Sequence, residues 1–169
     1  MRKFNTSGPN IPAKHYSLPR WDWMEKGKEL IHDERYFTIW APRQTGKSTY
    51  FRFLGQIERI NTEKMVLIIE GIDEINTAYL WTFLSSIRSA FHSRQDHALK
   101  SVILSGVSNT IRNAPNDRIP FNIGDDFILP YFSNDETRTL LEQHENETGQ
   151  LFEDIIFKVP LYQKYLHNL

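Results

Sequence analysis

Apolar residues along this chain recur with two periods, and the switches between them outline its elements. Met24, Leu30 and Ile31 fall on one face of a helix expected from about Asp22 to His32. Tyr36-Phe37-Thr38-Ile39-Trp40 is a short β-branched and aromatic run, as a buried strand requires. Lys47 to Ile60 carries Tyr50, Phe53, Leu54, Ile57 and Ile60 at helical spacing. Met65 to Ile69 predicts a second buried strand, and Asn76 to Phe91 an amphipathic helix with Leu80, Phe83, Leu84, Ile87 and Phe91 on one side. Ser101 to Leu104 and Phe127 to Leu129 read as further strands. Ser133-Asn134-Asp135-Glu136 is a capping box that opens a helix with Leu140 and Leu141, and Gly149 is placed to stop it. Strands alternating with helices imply an α/β fold with a mainly parallel sheet.

Composition narrows the function classes. The 169 residues suit one domain with a real core. Twenty basic residues against 21 acidic ones leave a net charge of −1, so no global field favours nucleic acid or an anionic membrane. The absence of cysteine excludes disulfide scaffolds, Cys-ligated zinc, iron–sulfur clusters and a cysteine nucleophile. The longest apolar run, Met65 to Ile69, is far too short to span a bilayer, and no apolar signal region follows Met1. The simplest expected address is the cytoplasm. Asn5 to Pro19, with Gly8, Pro9, Pro12 and Pro19, reads as an extended arm.

One motif carries chemistry: Ala41-Pro42-Arg43-Gln44-Thr45-Gly46-Lys47-Ser48, a Walker A pattern with alanine for its first glycine, followed by Thr49. A turn between a strand and a helix aims successive backbone N–H groups into one concavity, where the helix dipole adds positive potential. Gly46 would let the backbone approach phosphates, Lys47 would reach the β- and γ-phosphates, and Ser48 would ligate Mg²⁺. A chance match is the competing explanation, but an apolar strand before and an amphipathic helix after supply the required context.

Such a site also needs an acid at the end of a neighbouring strand for Mg²⁺ and a carboxylate to orient water. In Glu70-Gly71-Ile72-Asp73-Glu74 the apolar run ends at Glu70, which makes Glu70 the first acid and leaves Gly71, without a side chain, at the water-orienting position. Alternatively Asp73 and Glu74 are the working pair, or these acids merely begin the next helix. Ser105 and Asn109 are candidates to sense a γ-phosphate, although a plain turn explains them equally well. For Arg43, Arg112 and Arg118, a solvated surface is the simpler expectation than phosphate contact. Trp21 and Trp23 beside Arg20 suit packing better than base stacking. The six histidines show no metal spacing.

Several segments in order resemble the AAA-like domain family of bacterial P-loop ATPases. They are Arg2 to Pro9, His15 to Pro19, Arg35 to Phe37, Ala41 to Ser48, Ser101 to Val107, Arg118 to Ile123, and Glu142 to Gln150. The resemblance implies a P-loop NTPase of the ASCE/AAA type, with ATP held by Lys47 and Ser48 and Mg²⁺ by Ser48 with an acid. It implies that the segment at His15 and Tyr16 passes near the adenine. It also makes three departures visible. The helix after Lys47 runs almost directly into the Met65 strand, so the sheet is expected to lack a strand–helix segment that the family has. The family's Asp-Glu-Ile-Asp aligns with Glu70-Gly71-Ile72-Asp73, which lengthens the magnesium acid and deletes the catalytic glutamate. The family's helical C-terminal lid is expected to be missing, because residues 153–169 diverge from it.

The expected organisation is therefore an arm at 1–20, a P-loop core at 21–152 and a divergent tail at 153–169. The expected function is ATP binding with weak or absent hydrolysis, in which Glu74 is the residue left to orient water. The alternatives are a non-catalytic interaction module, with a protein partner or self-association, and a truncated remnant.

Overall fold

The computed structural model describes residues 1–5, 8–43, 45–57, 65–107 and 124–152. In chain order the elements are α1 (Trp21–His32), β1 (Phe37–Trp40), α2 (Lys47–Ile57), β2 (Met65–Glu70), a 3-10 turn (Ile72–Glu74), α3 (Thr77–His92), β3 (Leu99–Gly106), β4 (Asp125–Ile128) and α4 (Asn134–Thr148). The strands form one four-stranded sheet in the order β2-β3-β1-β4, and every pairing is parallel. The expected α/β fold with a parallel sheet flanked by helices is the observed one. β3 lies between β1 and β2, so the chain crosses over β3's place before β3 is formed.

Alternation along the strands divides the core. Phe37, Ile39 and Ile103 point to one face and pack with Met24 and Ile31 of α1 and Tyr50, Phe51 and Leu54 of α2. Tyr36, Trp40, Val102 and Leu104 point to the other and pack with Leu80, Leu84 and Ile87 of α3. The central strands β1 and β3 are buried on both faces, as parallel strands covered by helices should be.

Local signals placed most boundaries. The Ser133 hydroxyl accepts from the Glu136 N–H, the Glu136 carboxylate accepts from the Ser133 N–H, and Gly149 ends α4 at φ 75°. The Asn76 side chain caps α3 by accepting from the Ala78 N–H. The structure differs from expectation at β2. Its side chains from Val66 to Ile69 are only half-buried, because β2 has a strand neighbour on one side alone among the described residues. Phe51 is buried beside Tyr50 because α2 is covered by α1 as well as by the sheet. Ile60, the tail at 153–169, and the expected end of the α2 pattern beyond Ile57 lie outside the described residues.

The N-terminal arm is not an open extension. The Lys3 N–H donates to Lys14 O at 3.0 Å and the Tyr16 N–H to Lys3 O at 3.1 Å, a parallel bridge that sets the stretch at His15 beside the one at Lys3. Tyr16 is fully buried, with the Phe4 and His144 rings against it, and Phe152 packs on those two rings.

Candidate functional site

Open parallel sheets place their working residues at the carboxyl ends of the strands. There β1 runs into Ala41, whose N–H donates to Gly106 O at 3.2 Å and prolongs the β1–β3 pairing by one bond. The following turn is closed by the Thr45 hydroxyl, which donates to Pro42 O at 2.8 Å. Gly46 has φ 81°, a left-handed conformation that side chains resist, and it turns the chain into α2. Tyr50 makes the first helical bond, from its N–H to Gly46 O at 2.8 Å. The N–H groups of Lys47, Ser48 and Thr49 precede that bond and form the donor end of the helix.

The Lys47 ammonium folds back over the turn and donates to Ala41 O at 2.9 Å and Pro42 O at 3.2 Å. Burial draws its pKa below the ordinary lysine value, Glu70 and Asp73 oppose that shift, and Arg43 adds to it. Arg43 itself is exposed, and Gln44 lies outside the described residues.

The Ser48 hydroxyl lies 3.0 and 3.1 Å from the two oxygens of Glu70. Glu70 ends β2 and is in register with Ser105 of β3. It falls on the α2 side because Val66 and Ile68 do, four and two residues earlier. Ser105 falls on that same side, two residues after Ile103, and its hydroxyl is buried without a partner. The structure thus brings Lys47, Ser48, Glu70 and the Ser105 position to one end of the sheet.

Asp73 and Glu74 lie beyond the strand, in the 3-10 turn, and Asn76 separates them from α3, so they do not form that helix's first turn. One Asp73 oxygen accepts from the Val107 N–H at 3.2 Å, and the other is buried without a partner. A Cβ on Gly106 would stand 2.6 Å from that second oxygen and 2.8 Å from Trp40 Cζ3. Glu74 is exposed and bends back over Gly71, where a Cβ would lie 3.6 Å from its Cδ.

No protein-family model matches the chain, and no curated protein matches it.

Chemically, the arrangement joins a helix N-terminus, an ammonium group, a hydroxyl and a carboxylate. These are anion donors beside hard oxygen ligands, and both Ser48 and Glu70 suit Mg²⁺. Among the described residues no cluster of His, Cys, Asp and Glu could hold a metal by itself. A magnesium ion would therefore need water and ligand oxygens to complete its shell. Asn109, Arg112 and Arg118 lie outside the described residues. Trp21 is 62% exposed, whereas Trp23 packs against the α1–α2 core under the Arg20 and Lys26 side chains. No helix among the described residues is long and apolar enough to cross a membrane.

Two participants escaped the sequence reading. One is Gly106, whose lack of a side chain admits Asp73 and Trp40. The other is Asn10 at the tip of the arm, whose N–H donates to the Thr49 hydroxyl at 3.0 Å, whereas the resemblance singled out only His15 and Tyr16 of that arm. A glycine after an apolar strand hints at the first, but no local signal marks the second.

Proposed function

We propose that this chain is an ATP-binding AAA-like P-loop protein, with ATP and Mg²⁺ held at Ala41–Thr49 and hydrolysis weak or absent. One observation carries the reading: the Ser48–Glu70 contact joins two motifs 22 residues apart at the carboxyl end of the sheet. A chance Gly-Lys-Ser has no reason to meet a strand-end acid. The position of β3 between β1 and β2 agrees with the ASCE-type sheet that the resemblance implies.

Lys47, released from the Ala41 and Pro42 carbonyls, would neutralise phosphate charge. Gly46 and the N–H groups of Lys47 to Thr49 would cradle it. Ser48 with Glu70 would hold Mg²⁺, with Asp73 behind them. Mg²⁺ supplies charge neutralisation across the β- and γ-phosphates when bound. Gly71 offers no carboxylate to orient water. Glu74, bent over that gap, is the residue left for the task, which is why hydrolysis is expected to be slow.

The test is thermal unfolding with and without Mg-ATP. ATP at about a hundred times its dissociation constant adds about 2.7 kcal/mol to the folded state. The expected result is a stabilised wild type and an unresponsive Lys47→Ala variant. Equal shifts in both, or none in either, would sink the reading.

A second reading, a non-catalytic interaction module, is favoured by the half-buried apolar row Val66–Ile69 on β2, which among the described residues pairs on one side alone. Self-association that persists without any response to nucleotide would support it.

A further inference from the structure

Ahead of Arg20, the described part of the arm hydrogen-bonds to the rest of the molecule at α4 and at α2. At one end the Arg2 guanidinium donates to Glu147 at 2.7 Å and to Gln143 at 3.1 Å, and it lies over the Tyr16 ring at 5.1 Å. The Arg2 N–H and the Tyr16 hydroxyl both donate to the other Glu147 oxygen, at 3.1 and 3.2 Å. Gln143 in turn donates to Ser17 O at 3.1 Å. This end is fastened to α4. At the other end the arm's tip reaches the first turn of α2 through one bond, from the Asn10 N–H to Thr49 Oγ1. The tip is tied to the fastened end by Asn10 Nδ2 on Tyr16 O at 3.4 Å, and by the Ile11 N–H on His15 Nδ1 at 3.1 Å.

Thr49 carries its hydroxyl in the first turn of α2. A hydroxyl accepts and donates at once. Its oxygen receives the Asn10 N–H, while among the described residues nothing accepts its own proton. It stands two residues after Lys47, in the donor end of α2. A phosphate oxygen there would accept the Thr49 proton and polarise the hydroxyl. A polarised hydroxyl oxygen is a better acceptor for the Asn10 N–H, because bonds in a chain strengthen one another.

We infer that Thr49 is a positioning residue that couples phosphate at the Gly46–Thr49 turn to docking of the N-terminal arm, so that ligand binding tightens the arm between α2 and α4. This rests on the proposed nucleotide site. By reciprocity, an arm already fastened to α4 raises affinity for the phosphate ligand by the factor with which the ligand tightens the arm.

The experiment is amide hydrogen exchange of the peptide covering residues 1–16 in the full chain, with and without Mg-ATP, beside the ATP dissociation constant. In wild type, Mg-ATP slows arm exchange by at least about fivefold, the low end of ordinary coupling between sites. Thr49→Val keeps the shape, removes the relay and loses that slowing at saturating Mg-ATP. Glu147→Gln weakens the fastened end, speeds arm exchange in both states and raises the ATP dissociation constant. If wild type binds Mg-ATP and Lys47→Ala does not, yet arm exchange is unchanged by ATP or slows equally in Thr49→Val, the coupling is wrong and the nucleotide reading stands. If wild type does not bind ATP, both fall.

Discussion

Gly106 sits where the Asp73 carboxylate and the Trp40 indole converge, with no room for a methyl group. Its neighbours are a buried ring and an oxygen anchored through the same carboxylate to the Val107 N–H, so neither yields freely. Gly106→Ala is expected to destabilise the fold by about 1–3 kcal/mol, the usual cost of overpacking. Urea denaturation would measure it, and an unchanged midpoint would show that Asp73 swings away without penalty. The same residue scale explains the partial legibility of the site. Gly46, Lys47 and Ser48 were readable because their chemistry requires adjacent positions. The competition among Glu70, Asp73 and Glu74 was not, because side-chain reach decides it. Glu70 meets Ser48, Asp73 meets a backbone N–H, and Glu74 turns back over Gly71.

Among the elements, α4 has the most explicit local instructions. Its capping box forms both reciprocal bonds, and its buried stripe, Thr137, Leu140 and Leu141, is short. α3 also buries three residues but packs Trp81, Phe83 and Phe91 beside them, so α4 depends on its cap more than α3 does. Ser133→Ala removes the acceptor for the Glu136 N–H and is expected to cost about 1 kcal/mol. Chemical denaturation would report it, and a cost near zero would mean that water replaces the cap. Helical periodicity and cap signals are both local in sequence, so α3, read from its periodicity, and α4, read from its caps, were legible nearly to the residue. The strand β2 was not. A short apolar run looks the same whether its strand is central or at the edge, and only the strand order makes β2 half-exposed where β1 and β3 are buried.

At the scale of the whole molecule, Arg2 and Glu147 bring the two ends of the described chain together. The Arg2 hydrogen bonds hold the Glu147 carboxyl below its ordinary value of 4.5. A depressed carboxylate pKa contributes stability that is present above that ordinary value and is lost as pH falls through the folded one. Arm docking, read by hydrogen exchange of residues 1–16, should therefore loosen as pH drops below 4.5 in wild type and change less over that range in Glu147→Gln. Identical profiles would remove Glu147 as the fastening group. By itself, the sequence determined the alternation of strands and helices, the caps, and the Gly-Lys-Ser turn between a strand and a helix. All of these follow from contacts within a few residues. Only the tertiary structure decided that β3 separates β1 from β2, which acid reaches Ser48, that Gly106 admits Asp73, and that the arm joins α2 to α4. Those contacts join residues from 22 to 145 positions apart, and no local propensity encodes which distant partner a side chain will meet.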